Sequence, residues 1–224
     1  MMMEQLGIRK MQGSIVEMLK DEILSGNIPC QTEMTQNELA SSLGVSRMPV
    51  REALIILEYQ GLIERLPNNH VRVAEFSADY FKRLFCLCGE LELEEMARRQ
   101  QAVALSEVPL PEVPLSDEMD FHRELYRKSE HSYIRKTLQT ITEIYIAFAL
   151  KCRDYEPEQG RKLLGQVMEL MGSGADGREE RNSGAKVSEC AEAGLGADVK
   201  QQAATLLNQY FETLTEAIMR ERAR

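Results

Sequence analysis

Two arginines in the stretch LGVSRMPVREAL have a type and spacing that suit nucleic-acid binding. Arg47 and Arg51 lie four residues apart, so on a helix they would share one face. Each carries a planar fork of N–H donors that can hold a guanine edge or a phosphate group. The ordinary alternative is a solvated helix face on which the arginines pair with Glu52 or Glu58.

A carboxylate and an imidazole share the same spacing further along the chain, at Glu118 and His122. Together with Asp120 they could contribute to a metal site or to acid–base chemistry. A closed zinc site needs four ligands, however, and the other two histidines, His70 and His131, fall in a predicted hairpin and a predicted turn. We therefore favour an ordinary polar pair on a helix, and we predict no metal and no cofactor.

The residues around the arginines predict three helices, of which the second and third are joined by a tight turn. Apolar residues recur every three or four positions from Ile8 to Ser25, which predicts a first helix. ELASSLG predicts a short second helix, and Gly44 supplies the left-handed turn after it. Ser46 suits the N-cap of a third helix that begins at Arg47, with Pro49 in its first turn. The apolar stripe of that helix places both arginines on another face.

A strand pattern follows the third helix. LIERL, the turn-forming PNN and the alternating valines of HVRVAEF predict a short hairpin. Helix, turn, helix and hairpin in this order predict a winged helix-turn-helix, whose recognition helix presents its first residues to the major groove. This context favours the DNA interpretation of the arginines. The hairpin residues that would reach a backbone or the minor groove are Asn69, His70 and Arg72.

The pattern changes after Phe76. Ser77 suits the cap of a long helix, and later helical patterns lie near 116–127, 133–153, 156–171 and 198–222. A stretch rich in Gly, Ala, Ser and charge predicts a flexible loop at about 172–197. We therefore predict a mostly α fold, with a winged helix-turn-helix and its small β-hairpin wing over 1–75 and an all-α helical bundle over 76–224.

Charge and composition limit the function classes. Acidic residues outnumber basic ones by 36 to 27, a net charge of -9, which argues against a protein that coats nucleic acid over its whole surface. A local basic site remains compatible with this balance, because charges act mainly within about 10 Å. No apolar run approaches the roughly 18 residues of a membrane span, and the N-terminus lacks a signal-peptide pattern. We expect a soluble, cytoplasmic protein without membrane contact.

The stretch that holds the arginines resembles the GntR family of bacterial transcriptional regulators. The resemblance rests on LASSLGVSRMPVREALIILEYQGLIERLPNNHVRV, preceded by LKDEILSGNIP, and it covers Ile8 to Val73. It implies that Arg47 and Arg51 are the principal contacts to double-stranded DNA. The residues that would assist them are Ser46, Thr35, Gln36, Asn37, Asn69 and His70.

The second domain is similar to the FCD-type effector-binding and dimerising domain of the FadR-like branch, through LELEEMA and EMDFHRELYRKSEHSYI. In that branch an acidic residue, a histidine four positions later and two further histidines commonly hold a divalent metal beside a small carboxylate ligand. Glu118 and His122 match the first two positions, but only His131 follows them. We expect an effector that is recognised without a metal. The expected lining residues are His122, Glu118, Tyr145 and Arg153.

The leading hypothesis is a transcriptional repressor that reads a palindromic operator as a homodimer and responds to a small-molecule effector. Dimerisation would double the base contacts that one small reading head can make. The alternative is a protein-interaction or metal-dependent helical-domain protein with vestigial DNA binding. An enzyme is disfavoured, because the chain lacks a nucleophile elbow, a phosphate-binding glycine loop and a third metal histidine.

Overall fold

A computed structural model describes residues 2–68, 70–106, 117–173 and 197–224. The chain divides into two compact units. The first contains residues 1–80 together with 218–224, and the second contains residues 81–217. This division follows the density of contacts within the chain and does not test where one functional domain ends and the next begins. The predicted boundary after residue 75 therefore stays a prediction.

The described part of the first unit is a helix-turn-helix with a small antiparallel sheet. Its elements are α1 (Met2–Ser25), β1 (Glu33–Met34), α2 (Gln36–Ser42), α3 (Arg47–Tyr59), β2 (Ile63–Arg65) and β3 (Val71–Val73). The strand order is β1-β3-β2. The β2–β3 hairpin and the start of α3 at Arg47 confirm the predicted winged fold, whereas β1 was not predicted and α1 begins at Met2 rather than at Ile8.

The third helix buries one face and exposes another, as its sequence pattern predicts. Its buried residues are Pro49, Val50, Ala53, Leu54 and Leu57. Gly44 has a φ of 64°, the left-handed conformation that the turn before α3 requires. Since the apolar face fixes the rotation of the helix in the core, Arg47 and Arg51 lie exposed at its N-terminal end.

The C-terminal end of the chain stabilises this unit through Arg222. Its Nη1 donates to the carbonyl oxygens of Ile23 at 2.7 Å and Leu24 at 2.9 Å, and its Nη2 donates to Cys30 Sγ at 3.0 Å. The guanidinium also lies over the Phe76 ring, 5.6 Å from its centroid. Arg222 thus satisfies carbonyl groups that the last turn of α1 leaves without intrahelical partners.

The described secondary-structure elements of the second unit are all helical, which confirms the predicted fold class. Its elements are α4 (Ala78–Ser106), which begins in the first unit, α5 (Glu118–Lys128), α6 (Ser132–Thr140), a π-helical segment (Ile141–Ile146), α7 (Ala147–Ala149), α8 (Pro157–Ser173) and α9 (Ala197–Arg222). Ser77 Oγ accepts a hydrogen bond from the backbone N–H of Tyr80, as expected for a residue that caps α4. The π-helical segment was not predicted. Nearly all of the predicted loop at 172–197 lies outside the described residues.

In the described ranges no helix is long and apolar enough to cross a membrane.

Candidate nucleic-acid interface

The N-terminal end of α3 presents two unpaired arginines. Arg47 and Arg51 are both exposed, and neither forms a hydrogen bond or an ion pair with any residue that the structure describes. Glu58, one of their possible partners, instead accepts a hydrogen bond from Arg65 Nε at 3.0 Å. Ser46 occupies the predicted N-cap position with extended backbone, but its side chain makes no capping hydrogen bond. These features favour an interaction surface over a locally paired helix face.

The N-terminal end of α2 is fixed by a capping box between Thr35 and Glu38. The Glu38 N–H donates to Thr35 Oγ1 at 3.1 Å, and the Thr35 N–H donates to Glu38 Oε2 at 2.9 Å. Hydrogen bonds from the Thr35 side chain and backbone lower the pKa of Glu38. Because the Thr35 hydroxyl is engaged in the cap, its effect on a DNA contact would be to position the neighbouring Gln36 and Asn37.

A cleft of about 700 Å³ brings most of the predicted contacts together, and we call it the α2–α3 cleft. It is lined by Thr35, Gln36, Asn37, Arg51, Ile55, Glu58, Arg65, Asn68 and His70. Five of these residues were predicted from the sequence. Ser46, Arg47 and Arg72 do not line the cleft, and Asn69 lies outside the described residues.

The sheet residues around the cleft are partly paired with one another. Arg72 Nη2 donates to Glu64 Oε2 at 2.8 Å, and these residues are direct cross-strand neighbours on β3 and β2. Asn68 Oδ1 accepts from the His70 N–H at 3.1 Å, which orders the turn of the hairpin. Arg72 is therefore engaged by a carboxylate, unlike the arginines of α3.

Four lining residues of the α2–α3 cleft were not among the predicted DNA contacts: Ile55, Glu58, Arg65 and Asn68. Glu58 was considered only as a possible partner of the arginines. Asn68 belongs to the turn-forming PNN, so the same turn signal that predicted the hairpin tip was available to find it. Arg65 and Ile55 lie in elements whose patterns were recognised, but their approach to the cleft depends on how the hairpin packs beside α3. The Arg65–Glu58 ion pair is one of the contacts between β2 and α3.

The second unit contains a different arrangement of charged groups, which we call the buried polar cluster. Its members are Glu92, Glu118, His122, Tyr155 and Tyr210. His122 Nδ1 lies 2.6 Å from Glu92 Oε1, and His122 Nε2 lies 3.0 Å from the Tyr210 hydroxyl. The Tyr155 hydroxyl donates a short hydrogen bond to Glu118 Oε2. The predicted Glu118–His122 pair is thus engaged by Glu92 on α4, Tyr210 on α9 and Tyr155 in the segment between α7 and α8.

Burial shapes the protonation of this cluster. It raises the pKa of Glu118, although the hydrogen bond from Tyr155 acts in the opposite direction. It also raises the pKa values of the Tyr155 and Tyr210 hydroxyls, so both remain protonated. Glu92 Oε2 has no hydrogen-bond partner among the described residues.

The cluster does not suit the divalent metal that the family resemblance implies. Both ring nitrogens of His122 are engaged by Glu92 and Tyr210. Throughout the described ranges there is no group of three or more His, Cys, Asp or Glu side chains arranged to hold a metal ion. A side chain at Gly160 would also overlap the Tyr155 hydroxyl and lie 2.6 Å from Glu118 Oε2, so the space between Gly160 and Glu118 is already filled.

The other two predicted effector residues lie outside this cluster's hydrogen bonds. Tyr145 is buried in the π-helical segment, where its ring meets the edge of Phe81 with centroids 6.4 Å apart. Arg153 is exposed. These contacts do not test the predicted effector site, so the four residues remain a prediction.

Comparison with protein families and curated sequences points to the winged domain. Residues 11–73 match the family model described as "Bacterial regulatory proteins, gntR family". The chain is 38% identical over 66 residues to a Streptomyces ambofaciens protein named "Uncharacterized HTH-type transcriptional regulator in unstable DNA locus", which covers 30% of this chain and 28% of that protein.

A longer similarity reaches into the helical region. The chain is 27% identical over 154 residues to the gluconate operon transcriptional repressor of Bacillus subtilis strain 168, covering 60% of this chain and 63% of the repressor. The chain therefore spans less than two thirds of the length of these curated relatives.

A solved structure shares the fold over most of the chain. That structure carries the description "Lar controls the expression of the Listeria monocytogenes agr system and mediates virulence". Its TM-score is 0.50 at 17% sequence identity, and the alignment covers 93% of this chain and 96% of that one. At this identity the similarity concerns the fold alone.

Proposed function

We propose, from the premise that residues 11–73 form a GntR-type helix-turn-helix domain, that this chain is a DNA-binding transcriptional regulator. In this proposal α3 enters the major groove, and Arg47 and Arg51 make the principal contacts. Ser46, Gln36, Asn37, Asn69 and His70 assist them, with Thr35 and Arg72 in supporting positions.

The observation that carries the proposal is the exposure, at the start of α3, of two arginines that have no partner among the described residues. Burying such charges against phosphate oxygens or guanine edges exchanges contacts with water for charge-assisted hydrogen bonds and releases counterions. The α2–α3 cleft continues from Arg51 to His70, so further polar groups lie along the same surface. The net charge of -9 makes a local contact more suitable than binding over the whole surface.

We further propose that the chain acts as a homodimeric repressor on a palindromic operator. One recognition helix contacts only a few base pairs, and two-fold pairing would double that number. The similarity to a gluconate operon repressor supports the repressor role.

Selection of bound fragments from random duplexes by the full-length chain tests these proposals. We expect enrichment of a sequence with two inverted half-sites, and affinity for it should fall steeply with rising salt. The Arg47→Ala/Arg51→Ala double variant should enrich no sequence. Failure of the natural chain to enrich any sequence would contradict DNA reading, and one protomer bound to a single half-site would contradict the dimer.

The effector proposal is a small carboxylate recognised by the helical domain, with Glu118, His122, Tyr145 and Arg153 as candidate contacts. A ligand that reaches Glu118 or His122 must displace the tyrosine hydroxyls that engage them now. Gluconate is a suitable first probe because of the relative's name. We expect it to lower the affinity of the protein for the selected duplex. A panel of small carboxylates without any such effect would contradict this effector class.

A further inference from the structure

The exposed face of α3 carries a large apolar side chain between its two arginines. Met48 is 55% exposed, whereas the next two residues, Pro49 and Val50, are buried. Met48 lies three positions before Arg51, so these two side chains are neighbours on the helix surface, and Arg47 directly precedes Met48 at the start of the helix. An apolar group is therefore presented at the same end of α3 as the unpaired charges.

The major groove offers an apolar partner for such a group. Thymine is the only ordinary DNA base that displays a methyl group there, at C5, while the other base edges present hydrogen-bond donors and acceptors. Methionine is unbranched and polarizable, so its thioether can adapt to a small apolar surface. The arginine forks on either side suit guanine edges or phosphates, which Met48 cannot bond.

We infer that Met48 is a specificity-determining residue that recognises the C5-methyl group of a thymine. The inference rests on the proposed DNA-binding function and deepens it. Because Met48 adjoins Arg47 in the chain, the thymine lies within about two base pairs of an arginine-contacted position. The protein should then prefer thymine to cytosine there through apolar contact, independently of the hydrogen bonds made by the arginines.

Replacement of thymine by uracil tests this contact, because it removes the C5-methyl group and leaves the base-pairing edge unchanged. The probe is the duplex selected by the natural chain, with each thymine replaced in turn by deoxyuridine. We expect one position at which the replacement weakens binding by about fourfold, the factor that corresponds to burial of one methyl group. For Met48→Ala, binding to the thymine and uracil duplexes should be equal at that position.

Met18→Ala is the matched control, since Met18 is also an exposed methionine, at 39%, but lies on α1. It should keep the full preference of the natural chain for thymine. Met48→Gln, which has similar length and a polar end, should lose the preference as Met48→Ala does. An equal thymine-to-uracil ratio for the natural chain and Met48→Ala at every position would overturn the role of Met48 while leaving DNA binding intact. Absence of any selected duplex would overturn both this role and the proposed function.

Discussion

Arg47 and Arg51 on α3 have the same spacing as Glu118 and His122 on α5, yet the first pair is exposed and the second pair is buried. The arginines are exposed and have no partner in the described part of the chain. Glu118 is 4% exposed and His122 is fully buried, and each is hydrogen-bonded to a residue from a distant part of the sequence. The role of an i,i+4 pair thus depends on whether the helix face that carries it is exposed or buried.

The difference has an energetic reason. An exposed guanidinium keeps its hydration until a ligand replaces it, so it is available for binding at little cost to folding. A buried carboxylate or imidazole has lost its hydration, so it must be satisfied by the protein itself. We therefore expect changes at the α3 arginines to alter binding and changes in the buried polar cluster to alter stability.

The largest expected effect is on folding, from His122→Ala. The change removes the partner of Glu92 Oε1 and leaves that carboxylate buried, which should lower the free energy of unfolding by about 3–5 kcal/mol. Urea denaturation monitored by circular dichroism measures the change. His131→Ala is the matched control, because His131 is exposed. Equal losses for both variants would remove the distinction between the buried and exposed sites.

Arg51→Ala should weaken DNA binding and leave the stability of the fold almost unchanged. Affinity for the selected duplex at fixed salt should fall by about 1–3 kcal/mol, because one cationic contact is lost. The free energy of unfolding should change by less than about 0.5 kcal/mol, since the side chain is exposed and unpaired. Arg127→Ala removes an exposed arginine from the helical unit and should leave DNA affinity unchanged. Unchanged affinity for Arg51→Ala would refute its DNA contact.

A half-buried ion pair provides an intermediate case. Arg123 donates to Glu143 through Nε at 2.8 Å and Nη2 at 2.9 Å, and the Tyr126 hydroxyl also donates to Glu143 at 2.9 Å. The bonds from Arg123 lower the pKa of Glu143 below its ordinary value of 4.5. The folded state therefore binds this proton less readily than the unfolded state.

The resulting stabilisation is present above pH 4.5 and is lost as pH falls through the lowered pKa. Because solvent screens the pair, we expect it to contribute less than about 1 kcal/mol. The free energy of unfolding of Glu143→Gln should accordingly approach that of the natural chain as pH decreases below 4.5. Urea titrations across this range measure it, and a constant difference between the two proteins would contradict the assignment.

Chelator treatment should have the smallest effect. Since the ring nitrogens of His122 are already engaged, we expect no tightly bound metal in the helical domain and no change in thermal midpoint with EDTA. Elemental analysis of protein purified without a metal-affinity tag is the direct measurement. Near-stoichiometric zinc, nickel or manganese would show that the buried polar cluster rearranges around an ion.

Local signals were sufficient to predict the helix-turn-helix. The start of α3 at Arg47 follows from the left-handed turn at Gly44 and the proline in the first helical turn, both of which act over a few residues. The apolar stripe of α3 then predicts which side of the helix faces water. Strand β1 was missed because two residues carry almost no pattern, and Glu33 and Met34 form a strand only through pairing with β3.

The sequence by itself determined the order of the helix-turn-helix and its hairpin and the exposed face of α3, because periodicity and turn chemistry are short-range properties. Only the tertiary structure decided the partners of His122. Glu92 lies 30 residues before it and Tyr210 lies 88 residues after it, so no spacing rule connects them. Their pairing arises because burial removes water from several helices at once, and each polar group left inside must then find its partner on a neighbouring helix.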